Sequence, residues 1–134
     1  AVLNANYMMH KLAGHYKMAY DHTCMHEFVM TLEQEKHARN VSALDIAKAL
    51  LDHGIHPPTM YFPLIVHEAL MIEPTETESR ETLDEAVQIF LDVLAEAEAH
   101  PEKMHEYPLE TPVRRLDEVG AARKPVVRYL YDEE

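Results

Sequence analysis

Ten histidines and one cysteine are the side chains in this 134-residue chain best suited to bind a metal or attack an electrophile. Zinc sites draw three or four N, S or O donors from short, recurrent spacings. The metalloprotease pattern His-Glu-x-x-His is absent, although His26-Glu27 and His67-Glu68 supply its first half. His53-x-x-His56 offers two donors three apart, but Gly54 and Pro57 place them across a helix end, where a shared face is lost. With no cysteine pair and no third donor at a readable distance, the sequence predicts no metal site. Cys24 has His22 and His26 two residues away on either side, and on a strand all three would share a face, which would permit a thiolate–imidazole pair. No third orienting group or oxyanion hole accompanies them, so a packed or exposed thiol is the simpler expectation. Glu76 and Glu78 could serve general acid–base chemistry. The form Thr75-x-x-Glu78 explains them at lower cost as a helix-capping box. Three scattered glycines cannot build a phosphate cradle, and no Walker-type lysine motif occurs.

The elements that would carry these residues alternate between helix and strand. Val2, Ala5, Met8, Met9 and Leu12 recur at helical spacing from the first residues, with no capping side chain ahead of them, as if the helix were cut from something longer, and Gly14 is expected to end it. Cys24 to Leu32 has strand length and composition, and Glu33 to Asn40 is predicted as a surface loop. Ser42 with Asp45 forms a variant capping box for a helix whose stripe is Leu44, Ala47, Leu50 and Leu51, and Gly54 stops it. His56-Pro57-Pro58 forces extended chain, giving a strand over Met60 to Phe62 that Pro63 confines to an edge or an end. Ala69 to Glu73 completes a sheet of about three strands. A last helix runs from the Thr75 capping box to about Ala99, with apolar residues from Leu83 to Ala97 covering roughly 200° of its circumference, enough to bury more than one flank, against its own sheet and against an absent neighbour. Beyond Pro101, prolines at 108, 112 and 125 predict an extended tail that depends on packing.

Length and a 47% hydrophobic content allow one compact domain with a real core. The formal charge is −12, and from Glu73 to Glu110 twelve acidic residues stand against only Arg80 and Lys103. Such a surface repels phosphate backbones and anionic lipid, which argues against nucleic-acid and membrane partners. A lone cysteine, no long apolar run and no basic-then-apolar leader fit a cytoplasmic protein.

Several runs are idiosyncratic rather than periodic: Leu3-Asn4-Ala5-Asn6-Tyr7, Pro57-Pro58-Thr59-Met60-Tyr61-Phe62-Pro63-Leu64, Leu70 to Glu78, Thr111 to Glu118 and Ala122-Arg123-Lys124-Pro125. Together these resemble the C-terminal portion of glycine dehydrogenase (decarboxylating), the P-protein of the glycine cleavage system, in its two-subunit form as subunit 2. The resemblance implies an α+β fold: the small C-terminal domain of a pyridoxal-phosphate enzyme of fold type I (aspartate-aminotransferase-like), a short antiparallel sheet packed with helices. Residues 1–100 would form that domain, starting within an interdomain helix, and residues 101–134 an extended tail.

By the same resemblance the complete enzyme decarboxylates glycine with pyridoxal phosphate and passes the aminomethyl group to the lipoyl arm of the H-protein. The family's cofactor lysine follows a histidine ahead of a glycine run; no glycine run is present, so no catalytic or cofactor-binding residue is assigned in this chain and the fragment alone is expected to be inactive. Many enzymes of that fold place a carboxylate-clamping arginine near the position of Leu70, so no such clamp carries over. His26, Glu27, Glu73, Thr75 and Glu76 match family motifs and are the expected site-wall or domain-interface residues, with strand packing and helix capping as the competing explanation. The implied partners are the large domain of the same subunit, subunit 1, lipoylated H-protein and glycine. The alternative is a free-standing α+β interaction or regulatory module, which would show no sticky surface, whereas a fragment would leave apolar patches at Val2, Met9 and the wide last helix.

Overall fold

A computed structural model of the chain describes residues 1–129 and 131; the last stretch of the expected tail, 130 and 132–134, lies outside the described residues. The fold is α+β, with helices α1 (Val2–Leu12), α2 (Glu33–Arg39), α3 (Ala43–Asp52), α4 (Arg80–Ala99) and α5 (Glu118–Arg123). Strands β1 (Lys17–Met18), β2 (Phe28–Thr31), β3 (Thr59–Met60) and β4 (Ala69–Ile72) form one sheet in the order β1-β2-β4-β3, all antiparallel. The central register pairs Phe28 with Ile72 and Met30 with Leu70. Alternation along the strands turns these four side chains into one core with α1, α3 and α4, where Met8, Leu12, Ile46, Leu50 and Phe90 are buried. Tyr16 is also buried there; its hydroxyl donates to the Phe90 carbonyl (2.7 Å), which meets the polar group's need for a partner.

Several local expectations hold for the reasons given by the sequence. Ser42 caps α3 in a reciprocal box with Asp45, and Gly54 adopts φ 73 where that helix stops. Within α3, however, Leu44 and Leu51 are only half-buried, while Ala43, Ile46 and Ala49 are fully so. The wide apolar arc of α4 is covered on both flanks within the chain itself: it packs against α1 and α3, leaving Ala86, Ile89 and Leu91 half-buried rather than bare. Of the patches expected on a fragment, Val2 is exposed, Met9 is half-buried and α4 is covered.

Others are corrected. The sheet has four strands because the two-residue β1 adds an edge too short to show periodicity. Residues Glu33 to Arg39 are helical rather than a loop: Thr31 Oγ1 receives the Glu33 amide (3.2 Å) and Asn40 ends the turn at φ 58. That helix buries no residue, so no apolar stripe announces it. Gly14 does not take the left-handed conformation; α1 closes with Ala13 in a right-handed turn, and the His15 and Tyr16 amides both donate to the Leu12 carbonyl. Strand β2 begins at Phe28, so Cys24 lies in irregular chain, and β3 stops at Met60 because Tyr61 has φ 61. Helix α4 starts four residues later than expected. Ser79, not Thr75, is its cap, accepting from the Thr82 amide (3.2 Å), whereas Thr75 sits at φ 64 in a turn.

Beyond Pro101 the chain folds back on α3. Met104 and Pro108 are buried, a 3₁₀ turn spans Lys103–His105, and both Asp52 carboxylate oxygens accept from the Leu109 and Glu110 amides. Arg115 ties the segment down by donating to the carbonyls of Tyr107 (2.7 Å) and Met104 (2.9 Å) and to Asp45 Oδ1 (2.7 Å). Past that point α5 buries nothing, and Val126, Val127 and Tyr129 are exposed. No described helix is long and apolar enough to cross a membrane.

Candidate functional site

One end of the β2–β4 pair gathers most of the residues singled out by motif. The loop before β2 carries His26 and Glu27, the loop after β4 carries Glu73 to Glu78, and antiparallel pairing of Phe28 with Ile72 brings the two loops together. His26 Nε2 lies 3.9 Å from Glu27 Oε2. One donor atom from each of His26, Glu27 and Glu73 falls within 4.8 Å of the others, with His26 and Glu73 exposed and Glu27 half-buried. Thr75 is half-buried, and its hydroxyl pairs with that of Thr77 at 2.9 Å. Glu76 is exposed in the same turn and stands apart from the trio.

Two asparagines of α1, which sequence reasoning used only as family markers, set the positions of both loops. Asn4 Nδ2 donates to the carbonyls of Thr75 (2.9 Å) and Glu78 (3.2 Å). Asn6 donates to the Cys24 carbonyl (2.8 Å) and accepts from the Cys24 amide (3.0 Å). Each asparagine thereby satisfies loop backbone groups that would otherwise need water. Their spacing of two within a helix has no use in core packing, and that was the available signal.

A cavity of about 650 Å³ takes one member of the trio, Glu73, into its wall with Thr75 and Glu78, and is lined also by Met8, Phe90 and the Gly54–Thr59 segment. Polar groups at the edge of an apolar cavity are the usual make-up of a ligand site. Two carboxylates and an imidazole can exchange protons with a bound molecule, and they are chemically competent to hold a cation. No sequence spacing predicted this arrangement, because the third donor comes from a different strand end.

Lys103, the lysine that borders a cavity, is not poised to hold pyridoxal phosphate. Binding of that cofactor requires a lysine able to lose its proton within a cavity. Lys103 borders a separate cavity of about 190 Å³, but its ammonium is 2.6 Å from Glu96 Oε1. That contact raises the Lys103 pKa and lowers that of Glu96, the reverse of what a nucleophilic amine needs. The Cys24–imidazole pairing also fails: Cys24 and its neighbours are not on a strand, and burial raises the thiol pKa, away from thiolate. His53 caps the end of α3 and both it and His56 are exposed, so they do not share a helical face.

The sequence model of the family described as "Glycine dehydrogenase, C-terminal domain" matches residues 1–112. The chain is 61% identical over 129 residues to the "Probable glycine dehydrogenase (decarboxylating) subunit 2" of Treponema denticola, covering 96% of this chain and 27% of that protein. The protein of the same name from Desulforamulus reducens is 59% identical over 97% of this chain and 27% of its own length. That of Thermosipho melanesiensis is 58% identical over 100% of this chain and 28% of its own. The chain thus spans about a quarter of the length of these curated relatives.

Proposed function

Because the chain belongs to the glycine dehydrogenase C-terminal-domain family, we propose that it works as the C-terminal part of subunit 2 of a pyridoxal-phosphate-dependent glycine decarboxylase and is inactive by itself. In this reading the preceding large domain of the same subunit holds the cofactor, subunit 1 completes the cytoplasmic enzyme, glycine is the substrate, and lipoylated H-protein receives the aminomethyl group. Bound pyridoxal phosphate supplies the electron sink for loss of carbon dioxide. The residues of this chain close one side of the site and order it.

The observation that carries this reading is the position of the trio. His26, Glu27 and Glu73 stand at the sheet end where α1 begins, and Asn4 and Asn6 of that helix bind both loops. A domain joined through α1 would meet this end first. His26, Glu27, Glu73 and Thr75 would then line the wall of the composite site or its domain interface, with Glu76 at the rim.

The test uses full-length subunit 2 with subunit 1 and lipoylated H-protein. Carbon dioxide release from glycine is measured for His26→Ala and Glu73→Gln, with the exposed α4 change Glu85→Gln as control. We expect kcat/KM to fall about 10-fold or more for the first two, as misplacement at a site wall does, and to be unchanged for the control. Wild-type rates in both site variants, with the fold intact, would refute the assignment. The well-covered α4 favours the second reading, a free-standing interaction module; that reading predicts no decarboxylation from any assembly containing the chain.

A further inference from the structure

Neither loop of the candidate site is held by backbone bonds of its own. Among the described residues, positions 20–27 and 73–78 make no backbone–backbone hydrogen bond. The β2–β4 ladder starts at Phe28 and stops at Ile72, so His26 and Glu27 stand just before it and Glu73 just after it. The other end of each short span is fixed by a side chain of α1. Asn6 takes both the carbonyl and the amide of Cys24, two residues before His26. Asn4 takes the carbonyls of Thr75 and Glu78, the first of them two residues after Glu73.

The two asparagines therefore span the gap between the loops. They lie about 200° apart around the helix, with the fully buried Ala5 between them. Asn6 Nδ2 also donates to the Val2 carbonyl (2.8 Å), a bond within the helix that restricts its rotamer. Thr75 sits at φ 64, a conformation disfavoured for a residue other than glycine, which persists only where its surroundings over-determine it. The bond from Asn4 to the Thr75 carbonyl is one such constraint.

We propose that Asn4 and Asn6 are positioning residues for the decarboxylation: through Thr75 and Cys24 they set the separation of Glu73 from His26 and Glu27, and with it the shape of the site wall. This rests on the function proposed above and adds to it that the wall is set from α1 rather than from the sheet alone. The asparagines act through the trio, so their effect on the reaction disappears where the trio is already disabled.

The experiment assays carbon dioxide release from glycine by full-length subunit 2 with subunit 1 and lipoylated H-protein. Asn6→Ala and Asn4→Ala are compared with His26→Ala and Glu73→Gln, and with the doubles Asn6→Ala with His26→Ala and Asn4→Ala with Glu73→Gln. We expect kcat/KM to fall about 10-fold in each asparagine variant, with the unfolding midpoint of subunit 2 within a few degrees of wild type. Each double should lose no more than about 2-fold beyond its His26 or Glu73 variant alone, because a residue that acts through another adds little once that one is gone. Asn6→Gln separates position from bonding: it keeps the amide group but is longer by about 1.5 Å. It should hold the midpoint and still lose about 10-fold, and it carries the test if Asn6→Ala does not fold. Wild-type kcat/KM in the asparagine variants while His26→Ala and Glu73→Gln are impaired overturns the inference. Losses that multiply in the doubles, a wild-type rate in Asn6→Gln, or a midpoint that falls together with the rate overturn it as well. Wild-type rates in both His26→Ala and Glu73→Gln would instead remove the proposed function beneath it.

Discussion

Asp45 should be the most sensitive polar residue in the fold, and the structure lets its replacement be worked through. Its side chain is 4% exposed, so its acceptor needs fall to donors within the protein. Oδ2 accepts from the Ser42 amide (2.8 Å) and hydroxyl (2.6 Å), while Oδ1 accepts from Arg115 Nη2 (2.7 Å), with His105 Nδ1 at 3.4 Å. Burial alone would raise its pKa, but the Ser42 donors and Arg115 outweigh this and hold it below the usual carboxylate range. Asp45→Asn keeps the shape and leaves only one accepting oxygen, so the new NH₂ must point at Ser42 or at Arg115. Losing one charge-assisted bond and opposing two donors costs about 2–4 kcal/mol, or about 8–15 °C in Tm for a domain of this size. Arg115→Ala should cost about 1–3 kcal/mol, because the guanidinium retains some solvent contact. If the two residues act as one latch between α3 and the returning chain, the double variant will fall short of the sum by about 1–2 kcal/mol. Urea unfolding of the 134-residue chain followed by circular dichroism measures all three. Additivity within about 0.3 kcal/mol would refute the latch.

Three further outcomes are expected. The depressed Asp45 pKa means that the unfolded chain binds a proton more readily, so the stability it contributes is present above an unfolded value of about 3.9 and lost as pH falls through the lower folded value. Unfolding midpoints below about pH 4 should therefore decline more steeply for wild type than for Asp45→Asn; parallel curves would contradict this. Ser79→Ala should destabilise by about 1 kcal/mol in urea unfolding because Ser79 caps α4, while Thr75→Gly should be neutral or stabilising because it relieves φ 64; the opposite ranking would restore Thr75 as the cap. Asn6→Ala should speed amide exchange at Cys24, whose N–H bonds to Asn6, with little change in β2, and uniform protection of both would show that Asn6 does not hold the loop.

What the sequence made legible were the features whose cause is local. The Ser42–Asp45 box, the Gly54 stop, the edge position of the strand before Pro63 and the two-flank burial of α4 each follow from a few neighbouring side chains, and each stands in the structure. The misses share a different cause. Helix α2 buries nothing, so it has no apolar period to read, and β1 is two residues long. Thr75-x-x-Glu78 has the right letters for a cap, but Asn4, from the far end of the chain, holds the Thr75 and Glu78 carbonyls in a turn and Ser79 takes over. The candidate site was legible only through family motifs: His26, Glu27 and Glu73 were named, but their approach depends on strand register, which no local pattern specified.

The central claim, that this domain completes a glycine-decarboxylating enzyme, is tested most directly by release of labelled carbon dioxide from carboxyl-labelled glycine. Full-length subunit 2, its companion and lipoylated H-protein are assayed with and without the region corresponding to residues 1–134, alongside the 134-residue chain alone. Release by the complete assembly, lost without this region and absent from the isolated chain, is the predicted result. An undiminished rate without the region, or release by the chain alone, would contradict the account.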